Sequence, residues 1–234
     1  MTVVYVLGTG SKWKNYELLY SLRSIEKNLK SFTDVVIVGE LPTWIQNVIH
    51  IPAKDIPFKK EFSIFSKIIA ACKDDRVSEN FLFANDDHFV IKEIEVKDIN
   101  YYYQFTLLEK WAKAHGHYKQ CILNVLEAMQ EVGGNDKYFD IHTPIIYNKT
   151  KFLELTNFDW KAKEYVIKSL YTNLQKFITL EEMPDCKINR NMSRGEIRAL
   201  LAGRTFFSIG DYGVCPDMKK VLNDYFPNKS KFEK

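Results

Sequence analysis

Cysteine is scarce in this chain: there are four in 234 residues, and none sits in a paired C-x-x-C arrangement. Cys72, Cys121, Cys186 and Cys215 are widely spaced, so neither a zinc site nor a disulfide framework is indicated and reduced thiols are expected. No apolar run approaches the roughly 18 residues that a membrane-crossing helix needs. The opening run Thr2 to Leu7 is too short, and too little flanked by positive charge, for a secretory signal, so a cytoplasmic protein is expected. A strong charge of either sign is also missing, because 33 Lys and Arg stand against 30 Asp and Glu for a formal net charge of +3. That balance neither requires nor excludes a nucleic-acid partner. Internal repeats, low-complexity linkers, a P-loop and a complete G-x-G-x-x-G are all absent. Apolar side chains, in contrast, are plentiful at 46%, with sixteen Phe and thirteen Tyr, which argues against disorder outside the ends.

Along the chain, apolar spacing alternates between the strand and helix periods. Thr2-Val3-Val4-Tyr5-Val6-Leu7 is a β-branched run ending at Gly8-Thr9-Gly10, and residues 16–28 then place Leu18, Leu19, Leu22, Ile25 and Leu29 on one helical face. Strands are expected at Val35 to Val38 and Val48 to Ile51, a helix at Glu61 to Cys72, and another strand from Phe81. The first ninety residues therefore predict an α/β fold, a mostly parallel doubly wound sheet with helices on both faces. From 91 to 135 the pattern predicts a helical insertion, with helices at Thr106 to Ala114 and Tyr118 to Gln130, the second closed by Gly133-Gly134. Beyond it come a short apolar run at Ile145 to Tyr147 and helices at Lys149 to Leu155 and Lys163 to Tyr171. A Ser193–Glu196 capping box opens a helix through Leu201, a strand follows at Thr205 to Ile209, and Pro216 begins a last helix. One domain is expected over 1–227, with 228–234 as a basic, frayed tail.

The chemistry concentrates in Phe81-Leu82-Phe83-Ala84-Asn85-Asp86-Asp87-His88-Phe89-Val90, where an apolar run stops at two carboxylates and an imidazole. The run suits a strand buried on both faces, and the open end of such a strand is where α/β sheets bind ligands. Adjacent carboxylates repel and raise one another's pKa, so a divalent cation or strong hydrogen bonding is the usual reason to keep both ionised. The plainer alternative is that Asp86 and Asp87 cap a turn. Gly8-Thr9-Gly10 lies between a strand and a helix, where backbone N–H groups can approach a nucleotide, although an ordinary tight turn would use the same glycines.

Four blocks taken in order, Glu17 to Lys27, Val35 to Val38, Leu41-Pro42-Thr43-Trp44-Ile45 and Phe81 to Asp87, resemble the Stealth family of capsular-polysaccharide-type sugar and sugar-phosphate transferases. His142-Thr143-Pro144 is similar to that family's later His-x-Pro block. The family's opening block has an acidic residue and a Trp-x-Asn-Gly pattern, where this chain has Leu7-Gly8-Thr9-Gly10-Ser11-Lys12-Trp13. A short chain that keeps a strand-end Asp pair also resembles a minimal GT-A glycosyltransferase, in which an Asp-x-Asp-type motif holds a metal on a nucleotide-sugar diphosphate.

These resemblances imply transfer of a sugar from a nucleotide-sugar donor, such as a UDP-sugar, to an acceptor hydroxyl with Mn2+ or Mg2+ as cofactor. Residues 1–90 become the donor half and 136–227 the acceptor half. Asp87 is the first choice for the metal, with Asp86 and His142 beside it and Asn85 and His88 in support. Gly8, Thr9, Gly10, Arg23, Lys67 and Asp86 are assigned to the donor; a salt bridge from Arg23 to Glu26 and a solvated Lys67 are the ordinary alternatives. An inverting transfer also needs a base for the acceptor hydroxyl, for which Asp211, following a strand-like run and Gly210, is the first candidate and Asp140 the second; an ordinary turn would use either residue equally well. The acceptor is expected to be a surface glycan or a hydroxymethylated base in viral DNA flipped from its stack. Sugar-1-phosphate transfer, a noncatalytic nucleotide-sugar or nucleic-acid binding module, and a metal-dependent nuclease or phosphatase are the competing readings.

Overall fold

A computed structural model describes residues 1–11, 13–175 and 179–234. β1 (Thr2–Leu7) leads through α1 (Tyr16–Asn28) and the short β2 (Leu29–Lys30) to β3 (Val35–Gly39) and β4 (Ile49–Ile51), and α2 (Lys60–Cys72) then leads to β5 (Asn80–Ala84). In space these lie in the order β4-β3-β1-β5, all parallel, with Tyr5 level with Ile37 on one side and Ala84 on the other. Residue parity sorts the two faces. Val4, Val36, Phe81 and Phe83 pack on Phe65 and Ile68 of α2, while Val3, Tyr5, Ile37 and Leu82 pack on Leu18, Leu22 and Ile25 of α1. With a helix over each face there is no wet side, which is why these strands read as unbroken apolar runs. At the end of β3 only glycine fits: Gly39 has φ +113°, and a Cβ there would lie 2.1 Å from the Leu7 carbonyl oxygen.

After β5 the chain leaves this sheet through β6 (His88–Val90), β7 (Ile94–Glu95) and β8 (Tyr101–Tyr103), followed by α3 (Leu107–Lys113) and α4 (Gly116–Val132). β9 (Ile145–Asn148) returns beside β5 but runs antiparallel to it, with Phe81 opposite Tyr147, so the mostly parallel sheet ends in an antiparallel edge. The remaining elements are α5 (Lys149–Leu153), α6 (Ile167–Asn173), β10 (Leu180–Glu182), β11 (Lys187–Ile188), α7 (Arg194–Leu201), β12 (Phe206–Ile209) and α8 (Pro216–Tyr225). β12 pairs with β6 on one side and β11 on the other in a second sheet. Phe89 and Phe207 stack there at 4.7 Å, covered by Ile197 and Leu201 of α7 and Val221 and Leu222 of α8.

Segment 91–135 contains both expected helices, but it is more than a helical insertion. Tyr101–Tyr103 forms a strand paired with Leu180–Glu182, and Cys121, Ile122 and Val125 of α4 join the core beneath α2. The helix expected from Lys163 begins only at Ile167, because the preceding stretch turns the Glu164 carboxylate to receive the Phe62 N–H at 2.8 Å. All four cysteines are free thiols and buried. Cys215 caps α8 by accepting the Met218 N–H at 3.4 Å.

The tail expected to fray is tied down instead. Phe232 is buried, its carbonyl accepts the Gln46 N–H at 2.9 Å, and the Lys234 N–H donates to the Trp44 carbonyl at 2.9 Å. Glu233 pairs with Arg23 at 2.7 Å, their side chains 5% and 12% exposed. Glu233→Ala leaves that guanidinium buried without a counter-charge and should cost on the order of 3 kcal/mol in denaturant unfolding at neutral pH. Burial pushes the Glu233 carboxyl up, but the hydrogen bonds from Arg23 and Ser230 outweigh it and hold the group below its usual 4.5. A depressed folded-state value means the contribution is intact above 4.5 and fades as pH falls below it, so the gap between wild type and variant should close on acidification.

Candidate active site

The carboxyl ends of β1 and β5, with the amino end of α2, border an open cleft of about 1060 Å³. Asn85-Asp86-Asp87 is the link by which the chain passes from β5 in the main sheet to β6 in the second, closed by the His88 N–H donating to the Asn85 carbonyl at 3.1 Å. The paired carboxylates therefore stand at the seam of the two sheets, facing the cleft.

Burial, then the charges of Asp87 and Glu17, push the Asp86 carboxyl up to about 7. Asp87 Oδ2 accepts from Ser208 Oγ at 2.9 Å and lies 3.5 Å from Lys187 Nζ, whereas its Oδ1 is buried with no hydrogen bond among the described residues. His88 is 1% exposed and accepts the Asn85 N–H at Nδ1, 3.3 Å away, so the proton of the neutral ring sits on Nε2. Nε2 faces Asp87 Oδ1 across 3.9 Å, beyond hydrogen-bond range. Burial first, and the neighbouring charge of Lys168 second, keep that imidazole neutral by driving its pKa well below 6.5.

On the β1 side, Asp55 straps the glycine loop. It accepts the Thr9 N–H at 3.1 Å, Thr9 Oγ at 3.3 Å and Ser63 Oγ at 3.3 Å, and it pairs with Lys67, which also donates to the Leu7 carbonyl at 2.6 Å. Burial raises the Asp55 carboxyl, but these donors together hold it below its usual value. A side chain on Gly8 would press against this carboxylate, with its Cβ 3.1 Å from Asp55 Oδ2. Lys67 is 3% exposed, so it is a strut between the strand end and Asp55.

The opposite wall alternates charge. Asp140 accepts from the Ser169 N–H at 3.3 Å and from Ser169 Oγ at 2.9 Å; burial raises its carboxyl despite Lys168 nearby. Lys168, also buried, donates to the Thr143 carbonyl at 2.6 Å, and burial lowers its pKa against the pull of Asp140, Asp87 and Asp185. His142 places Nδ1 2.9 Å from Asp185 Oδ1. Burial raises the Asp185 carboxyl, and the His142 contact brings it below the usual range.

Gly8, Gly10, Lys67, Asp86, Asp87, Asp140, His142 and Asp211 thus line one cleft, although they come from widely separated stretches of chain. Arg23 is not among the lining residues: its guanidinium is committed to Glu233 and the Phe226 carbonyl. Thr9 turns its hydroxyl to Asp55. His142 spends Nδ1 on Asp185, and among the described residues no three His, Cys, Asp or Glu side chains come together as a metal cluster. Sequence reasoning missed Asp55, Glu61, Lys168 and Lys187. Lys168 carries a readable signal, a lone cation set among the apolar side chains of Val166, Ile167 and Leu170; the others resemble any surface charge.

No family model and no curated protein matches the chain. Solved structures do match it. The galactosyltransferase LgtC in complex with donor and acceptor sugar analogues superposes with a TM-score of 0.51 at 10% identity, over 99% of this chain and 98% of that one. An active-site mutant of LgtC gives 0.52 at 10% identity over the same shares. The inositol-1-phosphate CTP transferase from T. maritima gives 0.52 at 9% identity, over 98% of this chain and 97% of that one. The fold is GT-A-like, an architecture used for both sugar and nucleotidyl transfer. The Stealth resemblance has no counterpart among these matches. Among the described residues no helix is long and apolar enough to cross a membrane.

The donors present suit the hard divalent cation that such a fold implies. Asp86 and Asp87 offer carboxylate oxygens, one buried Asp87 oxygen takes no hydrogen bond among the described residues, and Mg2+ or Mn2+ needs only one or two carboxylates when substrate phosphates supply the rest. Without a cation, Asp86 weakens the fold. Between 3.8 and about 7 the folded protein keeps a proton that the unfolded chain has lost, so stability falls as pH rises through that window. Asp86→Asn should make this slope shallower, leaving the part that Glu61 contributes, and be more stable than wild type above pH 7 by roughly 1 to 3 kcal/mol in urea unfolding with EDTA. A difference between variant and wild type that stays the same on both sides of the window would show that Asp86 is not strained.

Proposed function

We propose that the protein is a glycosyltransferase that moves a sugar from a nucleotide-sugar donor to an acceptor hydroxyl with a divalent cation. The observation that carries this reading is the Asp86–Asp87 pair at the carboxyl end of β5, in one cleft with the Gly8–Gly10 loop and the buried Lys168. Asp87 and Asp86 would hold the cation, which when bound supplies positive charge against the diphosphate that departs. Lys187 and Lys168 add positive charge beside the carboxylates, and burial of Lys168 strengthens its field. The loop from Gly8 to Ser11 offers the nucleotide a close backbone approach, held in place by Asp55 rather than by the ligand. His142, fixed by Asp185, faces the donor phosphates. Asp140 and Asp211 lie on the acceptor side. The acceptor is a hydroxyl of a surface glycan or of a hydroxymethylated base in viral DNA.

Sugar-1-phosphate transfer is a second reading of the same site, favoured by the order of the Stealth-like blocks; the mass of the product separates the two. The direct test is nucleotide release from a panel of UDP-, GDP- and CMP-sugars with Mn2+, Mg2+ or EDTA. Release should require the metal, and Asp87→Ala should reduce it at least about 100-fold, the scale of a lost charge-stabilising contact. Neither binding nor release with any donor would overturn the reading.

A further inference from the structure

One carboxylate on the cleft wall has no assigned partner. Glu61 lies in the first turn of α2, and because α2 runs back against its parallel strands, that turn stands over their carboxyl edge, where the cleft opens. Nearby acids are committed: on the wall Asp55 to Lys67 and Thr9 and Asp140 to Ser169, and behind it Glu164 to His117 and the Phe62 N–H. Glu61 takes no hydrogen bond and no ion pair among the described residues. It shares its surroundings with the negative charges of Asp140 and Glu164, offset in part by Lys60. Beside them Tyr118 and Tyr138 join their hydroxyls at 2.7 Å, so the space in front of Glu61 is walled by aromatic rings and polar tips. Burial first, and the charge of Asp140 next, push the Glu61 carboxyl up to about 7 even though a helix amino end ordinarily favours the ionised form.

We propose that Glu61 is the catalytic base of the transfer, taking the proton from the acceptor hydroxyl. This rests on the glycosyltransferase reading above. As the acceptor oxygen bonds to the anomeric carbon, its proton passes to the Glu61 carboxylate, the bond from that carbon to the diphosphate oxygen breaks, and the electron pair leaves with the nucleoside diphosphate. The proton then passes to solvent, and the single displacement inverts the anomeric carbon. The role falls to Glu61 rather than Asp140, whose Oδ2 already receives both Ser169 donors, or Asp211, which is exposed at the rim.

The test compares wild type, Glu61→Gln, Glu61→Asp and Glu61→Ala with the nucleotide-sugar panel, using lactose and hydroxymethylated duplex DNA as acceptors. Glu61→Gln should keep the wild-type Kd for the donor by calorimetry while its kcat for transfer drops about 10²- to 10⁴-fold, the range of general-base loss. Glu61→Asp should regain part of this, and added formate should rescue Glu61→Ala. Transfer by Glu61→Gln within threefold of wild type would overturn the assignment, as would a retained anomeric configuration or a loss confined to donor binding. If wild type itself binds no donor, the transferase reading fails first and this assignment with it.

Discussion

The site depends on a change of sheet. β5 is locked between β1 and β9 as far as Phe83, with Ala84 still paired to β1, and from His88 the chain belongs to a different sheet beside β12. Three residues must make that passage, and they belong to neither ladder. Asn85, Asp86 and Asp87 fill those positions, so the most polar tripeptide of the strand stands where the backbone is least committed and the cleft is open. Phe89 stacked on Phe207 anchors one side of the passage, and Phe83 packed with Tyr147 anchors the other.

Around that seam the cleft is organised as opposed charges set on different elements. Lys67 and Asp55 join α2 to the loop after β4; Lys187 and Asp87 join β11 to the seam; His142 and Asp185 join the approach to β9 to the approach to β11. Each contact spans the cleft architecture rather than one helix, so the charges double as cross-braces. Each pair is only partly shielded from water, so ordering it costs less than a fully buried pair would, and the result is a preorganised field. By contrast, Asp86 and Glu61, which lack a cationic partner of their own, hold their protons up to about 7.

Much of the fold was legible in the sequence, because both-face burial writes itself as apolar runs and helix faces write themselves as spacing. The central strands, α1, α2, the Ser193 cap and the Pro216 start all came from such local signals. What stayed hidden was set by distant partners. Nothing near Ile145 announces that β9 will run antiparallel, and nothing in the polar tail announces that Glu233 meets Arg23 across 210 residues. The seam carboxylates were visible because an apolar run ended on them. Glu61 and Lys187 were not, since a charged residue in a helix turn or beside a short strand looks the same whether it faces water or a cleft.

The buried thiols have a practical side. Burial pushes Cys72 and Cys121 up to about 12 and Cys186 to about 11, so these three offer almost no thiolate, and Cys215 is enclosed as a helix cap away from reagents in solution. A single cysteine introduced on the cleft rim would therefore be the one reactive sulfur of the folded chain. Fluorophores or spin labels could be placed beside the seam with every native cysteine left intact, and ligand binding in the cleft could be followed from that one point.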